Sequence, residues 1–239
     1  MKIVTWNINS VRIRIPLLKA LVAQAQPDIL CLQETKVEDA HFPLDALKAL
    51  GFAHIAFSGQ KSYNGVALLS KVKLGNVQCT EIAGSDHKRH ISAQLPDGTA
   101  LHNFYVPAGG DIPDPVQNPA YGFKLRFVEW MTAWSKQLHK TKQNTVILGD
   151  FNIAPYEHDV WSHKQLLQVV SHTEPEVTRL NALRESHSWC DVGRHYVDAG
   201  EKLYSWWSYR NRDWKKSNRG RRLDHVWVSP SLKPALKKF

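Results

Sequence analysis

An α/β fold is predicted, on three observations. Strand-like runs recur from the first residues to the last, helical periods interrupt them throughout, and neither type segregates into one half of the chain. Several of the strand runs alternate apolar and polar residues poorly, as strands buried on both faces do. Two sheets packed face to face with helices outside are therefore expected. No internal repeat, low-complexity tract or Pro/Gly/Ser linker divides the chain, so one domain over residues 1–239 is the economical reading.

The elements follow in order. A first strand is expected over 2–6 (KIVTW). A helix over 16–25 opens on Pro16, which suits a first helical turn, and places Leu17, Leu18, Leu21, Val22 and Ala25 to one side. Strands are then expected over 28–32 (DILCL), 53–57 (AHIAF), 65–70 (GVALLS), 90–95 (HISAQL) and 100–106 (ALHNFYV). Residues 119–139 carry Phe123, Phe127, Trp130, Met131, Trp134 and Leu138 at helical spacing, a core stripe. A strand over 145–149 (TVILG) follows. Thr173 and Glu176 form a capping-box signal for a helix with Val177, Leu180 and Leu183 inward. The last strand is expected over 224–229 (DHVWVS).

Bulk properties narrow the function. Lysine plus arginine number 31 against 22 acids, a net charge of +9 that favours a polyanionic partner, nucleic acid or an anionic membrane surface. No apolar run reaches the roughly 18 residues of a membrane span. Three well-separated cysteines (Cys31, Cys79, Cys190) offer neither a disulfide framework nor a zinc knuckle, and a reducing cytoplasm fits them.

Polar residues stand where apolar strands end. Strand 2–6 runs into Asn7 and Asn9, strand 28–32 into Gln33 and Glu34, and strand 145–149 into Asp150 and Asn152. Tyr105 ends one strand and Asp224 opens another. Residues i and i+2 of a strand point the same way, so Asp150 and Asn152 are expected to converge on one small object. Each position alone has an ordinary explanation: an Asx turn, a helix cap, a core tyrosine. Their recurrence at strand ends favours a site, because ligands gather there in α/β sheets. The set is rich in oxygen and lacks a cysteine or paired-histidine signature, which suits Mg²⁺ or Mn²⁺ and not zinc. Glu34 can hold the ion, Asp150 can orient or deprotonate a water, Asn7 and Asn152 can hold phosphate oxygens, and Tyr105 can donate to a developing oxyanion. These are the parts of metal-assisted phosphodiester hydrolysis.

The segments TWNINSVRIR, PDILCLQETKV, YNGVALLSK, YVPAGG, LGDFNIAP, YSWWSYR and NRGRRLDH occur in this order along the whole chain. Together they closely resemble the exonuclease III family of abasic-site endonucleases, within the endonuclease/exonuclease/phosphatase superfamily. The resemblance implies a four-layer α/β-sandwich like that of deoxyribonuclease I. It also implies Mg²⁺-dependent incision 5′ to an abasic site in duplex DNA, with 3′→5′ exonuclease and 3′-end-cleaning activity. By resemblance Glu34 and Asn7 are metal-site residues, Asp150 and Asn152 the Asp-x-Asn pair that serves water, phosphate and metal, and Tyr105 the active-site tyrosine. Asp224 resembles the aspartate that orients a catalytic histidine. That histidine belongs to a Ser-Asp-His motif beyond RLDHVWVS, which the sequence to Phe239 does not contain. The final strand and histidine are therefore expected to be missing, and hydrolysis by the chain alone to be impaired. Ser85-Asp86-His87 matches the motif in letters only and reads as a loop. His225, adjacent to Asp224 on a strand, is expected to face the other way. Ala108 stands where many relatives carry an amide, and Asn9 where some carry an aspartate.

Residues 205–222 are the densest basic and aromatic stretch, with seven Lys/Arg from Arg210 to Arg222 against one acid, Asp213. Cations such as Arg210 and Arg221 would grip phosphates. Trp206 is expected to wall a pocket for an extruded sugar with Leu223 beside it, and Trp207 to sit in the core. Lys36, Tyr63, Asn64 and Arg89 resemble phosphate-contacting positions of the family. The expected partner is double-stranded DNA with an abasic site or a damaged 3′ end, met by a monomer without a membrane. The alternatives are a DNA-binding homologue without activity and another phosphoesterase of the superfamily.

Overall fold

The computed structural model describes residues 1–210 and 212–239. They divide into two units, Met1–Tyr105 with Asn144–Asp150, and Val106–Gln143 with Phe151–Phe239.

The first unit begins with β1 (Ile3–Asn7), α1 (Ile15–Ala25), β2 (Ile29–Gln33), α2 (Leu44–Lys48), β3 (His54–Ser58) and β4 (Val66–Ser70). These strands form a mixed sheet in the order β1-β2-β4-β3, with only β1 and β2 parallel. A second mixed sheet runs β5 (Gly75–Gln78), β6 (His90–Gln94), β7 (Ala100–Tyr105), β8 (Thr145–Asp150), with β7 and β8 parallel. Every residue of β2, β4 and β8 is buried, which explains their unbroken apolar runs. The two sheets are joined by a buried amide clamp. Asn103 of β7 donates to the carbonyls of Leu32 (2.9 Å) and Ala67 (3.1 Å), and its oxygen accepts from Gln33 Nε2 at 2.7 Å.

On the outer face of the first sheet, Leu18 of α1 and Leu47 of α2 are buried in one cluster with Ile8, Val11, Leu30, Leu32, Phe52 and Leu69. Each fully buried leucine stabilises the fold by about 1.5–3 kcal/mol. Leu21 and Val22 pack against this cluster as expected, but Leu17 is exposed because it falls one position off the buried face.

The second unit contains α3 (Pro119–Thr141), α4 (His163–Leu166), α5 (Glu174–Ser186), β9 (Cys190–Asp191), α6 (Val192–Tyr196), β10 (Trp206–Trp207), α7 (Trp214–Ser217), β11 (Gly220–Arg221) and β12 (Asp224–Val228). Helix α3 starts at Asn118, whose side chain accepts from Ala120 N and Tyr121 N, followed by Pro119. Helix α5 carries the expected capping box between Thr173 and Glu176, and packs against α3. The buried face of α3 is rotated from the expected stripe. Phe127 and Met131 are buried with Tyr121, Lys124, Leu125, Val128 and Ser135, whereas Phe123, Trp130, Trp134 and Leu138 are half-buried. Strands β9 and β12 pair antiparallel, as do β10 and β11. The short strands β5, β9 and β11 were not expected, being too brief to show a period.

Two mixed sheets flanked by helices make this an α/β fold. Among the described residues, no helix is long and apolar enough to cross a membrane.

Candidate active site

In the first unit, two parallel strand pairs end level with each other. Asn7 pairs with Gln33 at the ends of β1 and β2, and Tyr105 pairs with Asp150 at the ends of β7 and β8. The chain beyond β1 and β2 stays zipped, with Ile8 N to Gln33 O at 3.0 Å, Ser10 N to Glu34 O at 2.7 Å and Val11 N to Thr35 O at 3.1 Å. Glu34 takes a left-handed backbone, φ 54°. Thr35 beside it is packed so closely against Gly65 that a Cβ there would lie 2.1 Å from Thr35 Oγ1. At the end of β8, Gly149 has φ 131°, and a Cβ would lie 2.0 Å from Phe104 O, so only glycine lets β8 deliver Asp150 beside Tyr105.

Asn7, Glu34, Tyr105 and Asp150 are thereby brought into one network. Asn7 Nδ2 donates to Asp150 Oδ2 at 2.8 Å, and the Tyr105 hydroxyl donates to Glu34 Oε1. Lys36 Nζ pairs with Glu34 Oε2 at 2.9 Å and donates to Asn9 Oδ1 at 2.7 Å. The Asn7 oxygen accepts from Asn9 N at 3.1 Å. Arg89 lies over the Tyr105 ring, 4.5 Å from its centroid, and donates to the Tyr105 carbonyl at 3.2 Å. Burial opposes ionisation of Glu34, but hydrogen bonds from Tyr105, Lys36 and Asn7 and the Lys36 charge hold its carboxyl below the usual range. Burial first, then the Glu34 and Asp150 charges, push the Tyr105 phenol well up, so it stays a proton donor at neutral pH.

Two carboxylates joined through an amide offer hard oxygen ligands. That donor set fits Mg²⁺ or Mn²⁺, which keep several waters and need only one or two protein carboxylates. No group of three or more His, Cys, Asp or Glu among the described residues is placed to hold a metal.

In the second unit, Asn152 does not continue a strand. β8 stops at Asp150, and Asn152 has φ 53°. The expectation that strand alternation aligns Asp150 with Asn152 is therefore corrected: a left-handed turn sets the direction of Asn152. Its Nδ2 donates to Val106 O at 2.9 Å. Asp224 opens β12 with its backbone N–H on Ser205 Oγ at 3.0 Å, while its buried Oδ1 has no hydrogen-bond partner among the described residues. Burial pushes the Asp224 carboxyl up to about 6, against a lowering bond from Ser205. His225 is buried, with Nε2 2.8 Å from Ile153 O.

The remaining candidates fall into different settings. Trp206 packs with Leu223 against Ala154, Val160 and Leu166. The Arg221 guanidinium lies over the Trp206 ring and donates to Val170 O (2.9 Å) and Ser171 Oγ (2.8 Å). Trp207, expected in the core, is instead half-buried on a two-stranded ribbon, its ring 5.3 Å from that of Trp214. Arg210 and Tyr63 are exposed. Asn64 is buried and donates to Gln60 Oε1 at 2.9 Å. Ser85 bridges back to Ile82 across a turn at Ala83 and Gly84, and Asp86 and His87 follow in irregular chain, with His87 N on Ser85 Oγ. Sequence reasoning missed Asn103, and it missed Lys124, whose only signal was a cation inside the apolar stripe of α3.

The endonuclease/exonuclease/phosphatase family model matches residues 4–236. The chain belongs to that family. Within it, an exodeoxyribonuclease III of Haemophilus influenzae is 31% identical, over 97% of this chain and 89% of that protein. A Neisseria 3′ phosphatase bound to a product DNA hairpin superposes with a TM-score of 0.90 at 32% identity, covering all of this chain and 90% of that one. An AP endonuclease from Archaeoglobus fulgidus superposes with a TM-score of 0.88 at 30% identity, covering all of this chain and 94% of that one. The exonuclease III branch of the endonuclease/exonuclease/phosphatase family is thus where this sequence sits, as WNINSVR and the tryptophan-rich stretch before RLDH imply.

Proposed function

We propose that the protein is a Mg²⁺-dependent DNA repair nuclease of the cytoplasm. It acts as a monomer on duplex DNA and hydrolyses the phosphodiester 5′ to an abasic site, with 3′→5′ exonuclease and 3′-end-cleaning activity. The observation that carries this reading is the network of Asn7, Glu34, Tyr105 and Asp150 at the ends of two parallel strand pairs. Nuclease relatives across nearly the whole chain support it.

In this reading Glu34 and Asp150, with Asn7, would hold the Mg²⁺, which would supply charge neutralisation at the phosphate. Asp150, which accepts from Asn7, orients an attacking water and accepts its proton. The Tyr105 phenol, kept protonated, would turn its one hydrogen from Glu34 to the departing or developing oxyanion. Asn152 contacts the phosphate through its amide, and Asp224 by resemblance is the aspartate that would orient the family's catalytic histidine, a motif the sequence to Phe239 does not contain. Trp206 and Leu223 form an apolar wall for the extruded sugar. Lys36, Tyr63, Asn64, Arg89, Arg210 and Arg221 are assigned to the DNA backbone.

The test is incubation with an end-labelled abasic duplex, with and without Mg²⁺. A nick 5′ to the lesion is expected only with the metal. Asp150→Asn should lose about 10²–10⁴ in rate while still binding DNA. Glu34→Ala should need more Mg²⁺ for half-maximal activity. Phosphate release from an inositol phosphate, with abasic DNA left intact, would overturn the assignment.

A further inference from the structure

The geometry points to Lys124 as a positioning residue for Asn152, an inference that rests on the nuclease reading above. Lys124 lies on α3 and is fully buried, a costly place for an ammonium group. Its Nζ donates to Asn152 O at 2.8 Å and to Ala108 O at 3.1 Å, and it is ion-paired with the fully buried Glu176 of α5.

Each partner ties down a different segment. Asn152 holds a left-handed backbone, which asparagine adopts readily, but the direction of its side chain still has to be fixed by its partners. The ammonium on its carbonyl supplies that constraint from one side, and the Asn152 amide on Val106 O supplies it from the other. Ala108 lies on the segment after Val106, so Lys124 also fixes the stretch that receives the Asn152 side chain. Gly109 makes room for the lysine stem, because a Cβ there would lie 2.8 Å from Lys124 Cδ. Glu176 accepts from Ser171 N (2.9 Å), Thr173 N (3.1 Å) and Thr173 Oγ1 (2.7 Å). Ser171 in turn takes the Arg221 guanidinium and accepts Ala154 N at 2.7 Å. One buried cation thus connects the turn bearing Asn152 to the loop that anchors Arg221.

A neutral hydrophobic pair in place of Lys124 and Glu176 would pack the same space at little cost in stability, or even stabilise the fold. It could not hold two carbonyls. The hub is therefore expected to matter for the direction of the Asn152 amide more than for folding.

The test compares the native protein with Lys124→Met and with Lys124→Met/Glu176→Gln, which leaves no buried charge alone. Thermal melts, kcat and KM for abasic incision, and the ¹⁵N side-chain amide signals of Asn152 are recorded. Those signals are identified by their absence from Asn152→Asp protein. Lys124→Met should lower Tm. The double variant should recover most of that Tm, yet keep kcat down roughly 10–100-fold at unchanged KM, with the Asn152 signals moved or broadened. Recovery of kcat in step with Tm, or unmoved Asn152 signals in the double variant, would overturn the inference. If the native protein cuts no DNA, the nuclease reading fails, and the Asn152 signals still decide whether Lys124 positions that amide.

Discussion

The Tyr105 hydroxyl donates to Glu34 Oε1, so the phenol that ends β7 and the carboxylate that follows β2 are held as one unit. The pairing lowers the proton affinity of one partner and raises that of the other, and both directions keep the hydrogen on tyrosine.

Tyr105→Phe removes that hydrogen and little else. A carboxyl held below its ordinary value stabilises the fold above that value, and the contribution is lost as pH falls through the native one. The variant raises the native value of Glu34 and shrinks the contribution. It should lose about 1 kcal/mol near neutral pH, with the difference closing in acid, as read from urea unfolding at a series of pH values. Equal stability of the two proteins at neutral pH would show that the bond contributes nothing.

Asn103→Leu attacks the amide clamp between the sheets of the first unit. The carbonyls of Leu32 and Ala67 lose their side-chain donor, and Gln33 Nε2 loses an acceptor while keeping Thr5 Oγ1 at 2.9 Å. Unmade buried bonds cost about 1–3 kcal/mol each, so a loss of at least about 3 kcal/mol is expected in equilibrium unfolding. Because Gln33 directly precedes Glu34, incision should fall even where the variant is folded.

The site residues of the first unit were legible for a definite reason. Asn7, Glu34, Tyr105 and Asp150 each sit at or just past the end of an apolar run, and polar residues there are conspicuous. The backbone that aims them was not legible. Asn152 owes its direction to a left-handed turn and Glu34 to another, while the i, i+2 rule assumes an extended chain. Asn103 and Lys124 were hidden because each lies within a periodic element, where pattern reading treats one polar residue as an interruption. The same limit displaced the α3 stripe: residues such as Trp130 and Trp134 count as core by type, yet they are half-buried and stack on each other. Strands of two residues, such as β10 and β11, carry no period at all.

Asp224→Asn tests a group shifted the other way. Burial raises its carboxyl to about 6 from 3.8, so ionisation costs stability above that value and nothing below the ordinary one. The amide avoids the charge. The variant should be more stable than the native protein by on the order of 2 kcal/mol at pH 8, with the gap shrinking to zero towards pH 4. Thermal melts across that range would read it, and a constant gap would point to packing instead of titration.

The two arginines assigned to DNA differ in what else they hold, and that difference can be measured. Arg210 is exposed, so Arg210→Ala should leave the melting temperature alone. Neutralising one phosphate contact lowers the slope of log binding constant against log salt by about 0.9, and weakens binding to damaged and undamaged duplex alike. Arg221 already donates to Val170 O and Ser171 Oγ and covers Trp206. Arg221→Ala should therefore lower stability by about 1–2 kcal/mol and release Trp206, seen as a red shift of tryptophan emission. Its effect on binding should be selective, larger for abasic than for intact duplex, because the wall for the extruded sugar is lost with it. Equal loss on both duplexes with no loss of stability would reduce Arg221 to another phosphate contact like Arg210.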